Sequence, residues 1–169
     1  EPREDSFLLA ESVRVKPRCY ALDMGCGCGI QAINLALQRA DVLAADINER
    51  AIANTIENAR RCGLSDKIST VQSDLFNAIG NRKFDCIVFN PPYLPASRLK
   101  DASVEGGKYG YELLHKFLDE IPLHLKENGF CYFVQSSLDG ELRTKRKLKK
   151  LGLGFEIVAR QKLFFEELM

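Results

Sequence analysis

The chain has 169 residues, of which 46% are hydrophobic and 28% charged, so it is long enough to build one globular domain with a core. Its formal net charge is +1, from 24 Lys and Arg against 23 Asp and Glu, and this balance lacks the basic excess typical of nucleic-acid or membrane partners. No apolar run approaches the roughly 20 residues of a membrane span. No basic-then-apolar leader opens the sequence, so we expect a cytoplasmic protein.

Predicted strands and helices alternate along the sequence. In chain order we predict strand 19–22, helix 30–38, strand 41–45, helix 49–62, strands 68–72 and 84–89, helix 111–125, strand 130–135, helix 141–151, strand 155–160 and a short strand within 162–169. We expect Pro122 to interrupt its helix, and Asn128-Gly129 to form a turn before strand 130–135. The pattern predicts an α/β fold in one domain, residues 1–169. Its mostly parallel sheet of seven strands would have helices on both faces.

A glycine-rich segment, Asp23-Met24-Gly25-Cys26-Gly27-Cys28-Gly29, follows the first strand and opens a helix. Alternating glycines let the backbone turn tightly and approach a ligand closely, and the following helix presents free N–H groups. The spacing departs from the dinucleotide-binding pattern, and such a segment alone is weak evidence. Asp23 has a second interpretation, because a carboxylate at the end of a strand often accepts hydrogen bonds from loop amides.

Two more carboxylates follow the second and third strands. Asp46 ends the second strand, where it is placed to accept both ribose hydroxyls of a nucleoside. Asp74-Leu75 follows the third strand, where an adenine contact is expected, although Ser73-Asp74 also fits a turn cap. Because the carboxyl ends of parallel strands share one edge of a sheet, these residues predict a nucleoside-containing cofactor there.

The six cysteines do not form a recognisable metal-ligand set. Cys26 and Cys28 are a lone C-x-C pair, and only His115 and His124 are available elsewhere as imidazole ligands. Since a zinc site needs about four ligands at suitable spacing, we predict no metal and reduced structural thiols.

The motif Asn90-Pro91-Pro92-Tyr93 directly follows the apolar strand 84–89 and predicts a transferase site. An amide or exocyclic amine nitrogen is a poor nucleophile. The Asn90 side-chain oxygen and the Pro91 carbonyl can accept its two N–H groups and aim it at a methyl donor. Pro91 and Pro92 stiffen the loop, and Tyr93 offers a flat face for stacking. The motif therefore predicts N-methylation of a planar nitrogen, with a rigid Pro-Pro turn as the alternative.

At the level of whole motifs the sequence resembles the HemK/PrmC group of protein-glutamine N5-methyltransferases. The shared segments are DMGCGCG at 23–29, ADIN at 45–48, QSDLF at 72–76 and NPPY at 90–93. The opening EPREDSFLL at 1–9, the glycines at 106, 107 and 110, and KLFFE at 162–166 are similar to the archaeal and eukaryotic branch, which lacks an N-terminal helical domain.

The resemblance implies a Rossmann-like class I methyltransferase that uses S-adenosyl-L-methionine and releases S-adenosyl-L-homocysteine. It implies that Ser6 touches the cofactor carboxylate and that Ile47, beside Asp46, lies in the cofactor site. The implied substrate is the glutamine of the Gly-Gly-Gln loop of a class I peptide release factor. A small zinc-binding activator subunit is also implied, pairing with an exposed edge strand that we expect from Lys67 to Gln72.

Two alternatives stay open at the level of sequence. An RNA or DNA amino-methyltransferase, acting on adenine N6 or guanine N2, uses the same motif chemistry on a flipped or single-stranded base. The basic run at 143–150 would favour it, but we interpret that run as a solvated helix face. A non-enzymatic partner-binding scaffold is the second alternative, and the intact glycines, Asp46 and Asn90 argue against it.

Overall fold

A computed structural model of the chain describes residues 2–92, 111–137, 140–162 and 167–169. The chain divides into two compact units, Glu1–Asn90 with Leu123–Phe133, and Pro91–Pro122 with Val134–Met169. The single domain predicted over residues 1–169 stays a prediction. In chain order the elements are α1 (Glu4–Ser12), β1 (Tyr20–Met24), α2 (Ile30–Leu37), β2 (Asp41–Asp46), α3 (Glu49–Arg61), β3 (Ile68–Gln72), β4 (Phe84–Phe89), α4 (Glu112–His124), β5 (Leu125–Phe133), α5 (Glu141–Lys150), β6 (Gln161–Lys162) and β7 (Glu167–Leu168).

The first unit is built on a five-stranded sheet in the order β3-β2-β1-β4-β5, and every neighbouring pair is parallel. The chain runs outward from β1 through β2 to β3 and then returns to β4 on the other side of β1. The strand order therefore reverses between β1 and β4, which is where open α/β sheets bind ligands. The predicted α/β fold with a parallel sheet is confirmed.

Burial explains why β1 and β4 occupy the centre of the sheet. Ala21 and Leu22 in β1, and Ile87 and Val88 in β4, are neighbours in sequence and are fully buried. Successive side chains of a strand point to opposite faces, so both faces of these strands are covered.

Helix α3 shows how a short segment is directed against the sheet. The Asn48 side chain caps its first turn by accepting the Arg50 N–H at 2.9 Å. Ala51, Thr55 and Ala59 recur every four residues and are buried, so one face of small side chains packs against β2 and β3.

The opening segment forms helix α1, for which the sequence pattern gave no prediction. Leu9 and Val13 are its buried apolar anchors. Polar side chains of α2 hold the helix: Asn34 Nδ2 donates to the Ala10 carbonyl at 2.9 Å, and Gln38 Nε2 donates to the Val13 carbonyl at 3.3 Å.

Two local predictions differ from the structure. Helix α4 continues through Pro122 to His124. Strand β5 begins at Leu125, before the expected turn, and its pairing with β4 shifts register between Phe84 and Cys86. Asn128 has a φ of 62° within that irregularity, so the Asn-Gly signal produces a bulge inside a strand.

The prediction of seven strands in one sheet is wrong. The last two strands, β6 and β7, pair with each other in a separate antiparallel sheet, and an isolated antiparallel bridge joins Leu168 of β7 to Ser136. The predicted strand 155–160 is not a strand. Phe155 and Val158 are 49% and 55% exposed, and within the described part of the chain this segment has no neighbour for a hydrogen-bond ladder, which a strand requires.

No helix among the described residues is long and apolar enough to cross a membrane.

Candidate functional site

The loop between β1 and α2 has backbone conformations that require glycine. Gly25, Gly27 and Gly29 have φ values of 66°, 55° and 82°, in the left-handed region that costs other residues about 1–2 kcal/mol. A Cβ at Gly29 would lie 3.0 Å from Thr55 Cγ2, and one at Gly25 would lie 3.3 Å from the Phe89 ring. Side chains are therefore excluded from the cradle, and its backbone is left open to a ligand.

Asp23 connects the end of β1 to the first turn of α2, on either side of this loop. Its side chain is 1% exposed, and Oδ2 accepts the Ala32 N–H in the first turn of α2 at 2.9 Å. Burial raises the pKa of this carboxyl to about 7, and the nearby charge of Asp46 adds to the increase. The alternative interpretation of Asp23, a strand-end carboxylate that accepts a backbone amide, is what the geometry shows.

Asp46 joins the glycine loop to the end of β2. Its Oδ2 accepts the Gly27 N–H at 3.0 Å, and its Oδ1 accepts the Asn48 N–H at 2.9 Å. Each carboxylate oxygen has a further lone pair for a hydroxyl donor. The adjacent Ile47 is 64% exposed, and its carbonyl accepts a hydrogen bond from Gln72 Nε2 at 3.0 Å.

The turn after β3 is stabilised by Ser73. Its hydroxyl donates to the Leu75 carbonyl at 2.7 Å and accepts the Ala78 N–H at 2.9 Å. Leu75 has a φ of 46°, and Asp74 is exposed. Within the described residues no hydrogen bond joins the Asp74 side chain to the glycine loop, so the structure brings Asp46 and Gly27 together but not Asp74.

Asn90 follows the central strand β4 and contacts the amino-terminal helix. Its Nδ2 donates to Ser6 Oγ at 3.2 Å, across 84 positions of sequence. Its Oδ1 is buried and accepts no hydrogen bond from any described residue. Pro91 is buried and Pro92 is half-buried, whereas Tyr93 lies outside the described residues.

Ser6 is held in place by a residue that sequence reasoning missed. Gln31, 4% exposed in the first turn of α2, donates through Nε2 to the Ser6 carbonyl at 2.7 Å. Its Oε1 is also buried without a donor among the described residues. The sequence did contain an indication of this contact, because the polar residues at 31, 34 and 38 share one face of a helix. Their side-chain amides donate to backbone carbonyls of the amino-terminal segment that contains α1.

Helix α3 supplies two further contacts that the sequence did not indicate. Asn58 Nδ2 donates to the Cys28 carbonyl at 2.9 Å, and Thr55 Oγ1 lies 3.4 Å from the Gly27 carbonyl as a donor. These bonds hold the Gly27 and Cys28 carbonyls against α3.

Two free cysteines, Cys26 in the loop and Cys86 in β4, are buried. Burial raises the pKa of the Cys26 and Cys86 thiols to about 12, so both stay protonated at neutral pH. In the described part of the chain, no three His, Cys, Asp or Glu side chains are grouped to hold a metal ion.

The residues present fit a nucleoside cofactor bound beside a nitrogen acceptor. The glycine loop leaves its backbone open to a ligand, and Asp46 has lone pairs for hydroxyl groups. Asn90 has a buried oxygen to which no described residue donates. Together with the parallel sheet, these features define a Rossmann-like class I methyltransferase.

Comparison with known proteins assigns the family. The family model of the methyltransferase small domain matches residues 4–165. A Methanocaldococcus jannaschii protein, provisionally named a protein N5-glutamine methyltransferase, is 42% identical over 176 residues, covering 100% of this chain and 88% of the relative. The release factor glutamine methyltransferase of Aquifex aeolicus is 32% identical over 145 residues, which cover 76% of this chain and 52% of that protein. The chain thus spans about half the length of this bacterial relative.

A solved structure agrees with these matches. The ribosomal protein L11 methylase of Lactobacillus delbrueckii subsp. bulgaricus superimposes with a TM-score of 0.71 at 26% identity, covering 96% of this chain and 73% of that one. The chain belongs to the methyltransferase small domain family and, within it, to the HemK/PrmC group of S-adenosylmethionine-dependent methyltransferases. The resemblance, the enzyme class and the cofactor predicted from the sequence are confirmed.

Proposed function

We propose that this enzyme methylates the glutamine side-chain amide in the Gly-Gly-Gln loop of a class I peptide release factor. The Methanocaldococcus jannaschii and Aquifex aeolicus relatives carry the names of glutamine methyltransferases. The single observation that carries the proposal is the Asn90 Oδ1 atom, a buried acceptor for which the described chain supplies no donor. A primary amide has the N–H group that would complete this hydrogen bond.

Asn90 is proposed to orient the acceptor. Its Nδ2 donates a hydrogen bond to Ser6 Oγ. Because this bond holds the side-chain amide in one orientation, Oδ1 points in a fixed direction. The Oδ1 atom accepts one N–H of the substrate amide, and the Pro91 carbonyl accepts the other. Both acceptors favour the positive charge that develops on the nitrogen as its bond to carbon forms. In this proposal Tyr93 stacks on the planar amide. Its role is inferred from the sequence motif alone.

The cofactor residues keep the roles expected from the sequence and its resemblance. S-adenosylmethionine supplies an electrophilic methyl group on a sulfonium, and S-adenosylhomocysteine is the product. Asp46 receives the ribose hydroxyls, and Ser6 contacts the carboxylate. The loop glycines Gly25, Gly27 and Gly29 make room, Asp23 fixes the loop, and Ile47, Asp74 and Leu75 line the adenine side. The proton of the substrate nitrogen is lost to water, so no side chain of this chain is needed as a strong base.

A protein partner is proposed at the open edge of the sheet. Strand β3 is one edge of the five-stranded sheet, which supports pairing with a zinc-binding activator subunit by strand addition. The cytoplasmic location expected from the sequence stays part of this proposal.

The proposal is tested by offering release factor and RNA side by side with methyl-labelled S-adenosylmethionine. We expect label in the release factor, none in RNA, and none when the loop glutamine is replaced by alanine. Asn90→Ala is expected to lower turnover by about 10²–10³-fold, the usual effect of removing one transition-state hydrogen bond. The affinity for S-adenosylhomocysteine in calorimetry should be nearly unchanged. Asn81→Ala, an exposed asparagine in the turn before β4, is the matched control and should keep full turnover.

Label in RNA but not in the release factor would contradict the proposed substrate. Full turnover of Asn90→Ala would remove Asn90 from its proposed role.

A further inference from the structure

One face of α5 carries a concentration of positive charge that methyl transfer does not use. Of the six basic residues between 143 and 150, four recur at spacings of three, one and three: Arg143, Arg146, Lys147 and Lys150. This spacing places them on one side of a helix. The sequence favoured a solvated helix face for this basic run, whereas these four residues line a single groove.

The groove belongs entirely to the second unit. It has a volume of about 670 Å³. Tyr111, which directly precedes α4, and His115 in the first turn of α4 line it together with the four basic side chains. None of the described residues proposed for the cofactor or the acceptor lines it. The residues that line the groove therefore have no role in the proposed methyl transfer.

Its positive charge is mostly uncompensated. Lys147 Nζ lies 2.6 Å from Asp119 Oδ1, but Arg143, Arg146 and Lys150 are exposed and form no ion pair with any residue that the structure describes. Like charges four residues apart on a helix repel each other and destabilise the helix. In a chain of net charge +1, such a concentration indicates an anionic ligand.

Aromatic rings lie among these charges. The Arg143 guanidinium lies over the Tyr111 ring, 4.2 Å from its centroid, and the Tyr111 and His115 ring centroids are 5.1 Å apart. His115 Nε2 lies 3.4 Å from Thr144 Oγ1. Burial lowers the pKa of His115, and the charges of Lys147 and Arg143 lower it further, so its ring is neutral near pH 7. Planar groups beside cations suit a ligand that combines phosphates with flat bases.

We propose that this groove binds single-stranded RNA through its phosphates. Phosphate groups offer only acceptors, which matches the donor-rich Arg and Lys lining. An acidic peptide would bring backbone N–H groups as well as carboxylates, and among the described residues no carboxylate side chain lines the groove to accept them. Unstacked bases are free to stack on Tyr111, His115 or the Arg143 plane. The methyl acceptor remains the release-factor glutamine, so failure of this proposal would leave the methylation proposal intact.

The test is fluorescence anisotropy of the full chain with a labelled oligouridylate of about 12 nucleotides, within the site sizes of single-strand binders, over a series of salt concentrations. Each phosphate contact contributes about −0.7 to the slope of log affinity against log salt. Arg146→Gln is expected to weaken binding about fivefold and to reduce the magnitude of the slope by about 0.7. Tyr111→Leu should weaken binding while leaving the slope unchanged.

Lys149→Gln is the matched control, because Lys149 is exposed on the same helix but does not line the groove. It should weaken binding by less than twofold. Equal losses for Lys149→Gln and Arg146→Gln would show general charge attraction and overturn the proposal. Binding of polyglutamate of equal length as tight as that of RNA would overturn it in favour of an acidic protein segment.

Discussion

At the scale of single residues, Asn90 connects the fold to the chemistry. A buried acceptor without a donor costs about 1–3 kcal/mol, and the Asn90 Oδ1 atom incurs that cost within the described chain. The Nδ2 group of the same Asn90 side chain donates to Ser6. Rotating the side-chain amide by half a turn would bury Nδ2 without an acceptor in place of Oδ1 without a donor. The site is therefore arranged in advance for a donor from outside, which we identify with the substrate amide.

Asp23 should give the protein a pH-dependent stability. The folded state raises the pKa of this carboxyl from 3.8 to about 7, so between these values the folded chain holds a proton that the unfolded chain has lost. The resulting stability is complete below 3.8 and is lost as the pH rises through about 7. Asp23→Asn keeps an acceptor for the Ala32 N–H and does not titrate. Relative to this variant, the wild-type free energy of unfolding should fall by on the order of a few kcal/mol across that range.

Urea unfolding of both proteins at a series of pH values measures this difference. A difference that stays constant with pH would show that the Asp23 carboxyl titrates normally in the folded protein.

At the scale of elements, the turn from β1 into α2 is the most constrained part of the site. Gly29 combines a φ of 82° with a tight position, where an added Cβ would lie 3.0 Å from Thr55 Cγ2 and Thr55 would have to shift. Gly29→Ala should cost about 1–2 kcal/mol for the left-handed backbone and about 1–3 kcal/mol more for overpacking. Gly63, after α3, has a φ of 68° and open space around it, so Gly63→Ala isolates the backbone cost of about 1–2 kcal/mol.

Denaturant unfolding and calorimetry with S-adenosylhomocysteine measure the two variants. Only Gly29→Ala should also weaken cofactor binding. Equal effects of the two substitutions on stability and affinity would mean that the loop does not require a glycine beside Thr55.

The sequence predicted elements well where burial and periodicity agree. Strands β3 and β4 have their predicted bounds. For β4 the reason is a largely apolar run, which is typical of a buried parallel strand. The segment 155–160 has similar residues but lacks a neighbouring strand, and local composition does not contain that information. The contact of Ser6 with Asn90 is likewise invisible locally, since it depends on how α1 folds back on α2. Motif spacing placed Asp46 at the sheet edge, but its bond to Gly27 depends on the left-handed loop.

At the scale of the whole molecule, the open edge of β3 is where a protein partner is expected. The Lys67 carbonyl accepts from Val42 and the Ser73 N–H donates to Asp46, so both groups face β2. Backbone groups alternate direction along a strand, which turns the Thr70 N–H towards the open edge. Thr70→Pro should remove one outward donor without breaking the ladder to β2. It should therefore abolish copurification with a coexpressed zinc-binding activator.

Thr70→Val keeps the N–H group and should copurify normally, with bound zinc as the measure of the complex. An intact Thr70→Pro complex would place the activator elsewhere.

The central claim is that Asn90 Oδ1 accepts a hydrogen bond from the side-chain amide of a substrate glutamine. The most direct measurement is a crystal structure with S-adenosylhomocysteine and a peptide containing Gly-Gly-Gln. We expect the glutamine Nε2 within hydrogen-bond distance of Asn90 Oδ1, about 2.7–3.2 Å. A peptide bound with its glutamine amide directed away from Asn90, while that oxygen stays without a donor, would contradict the account.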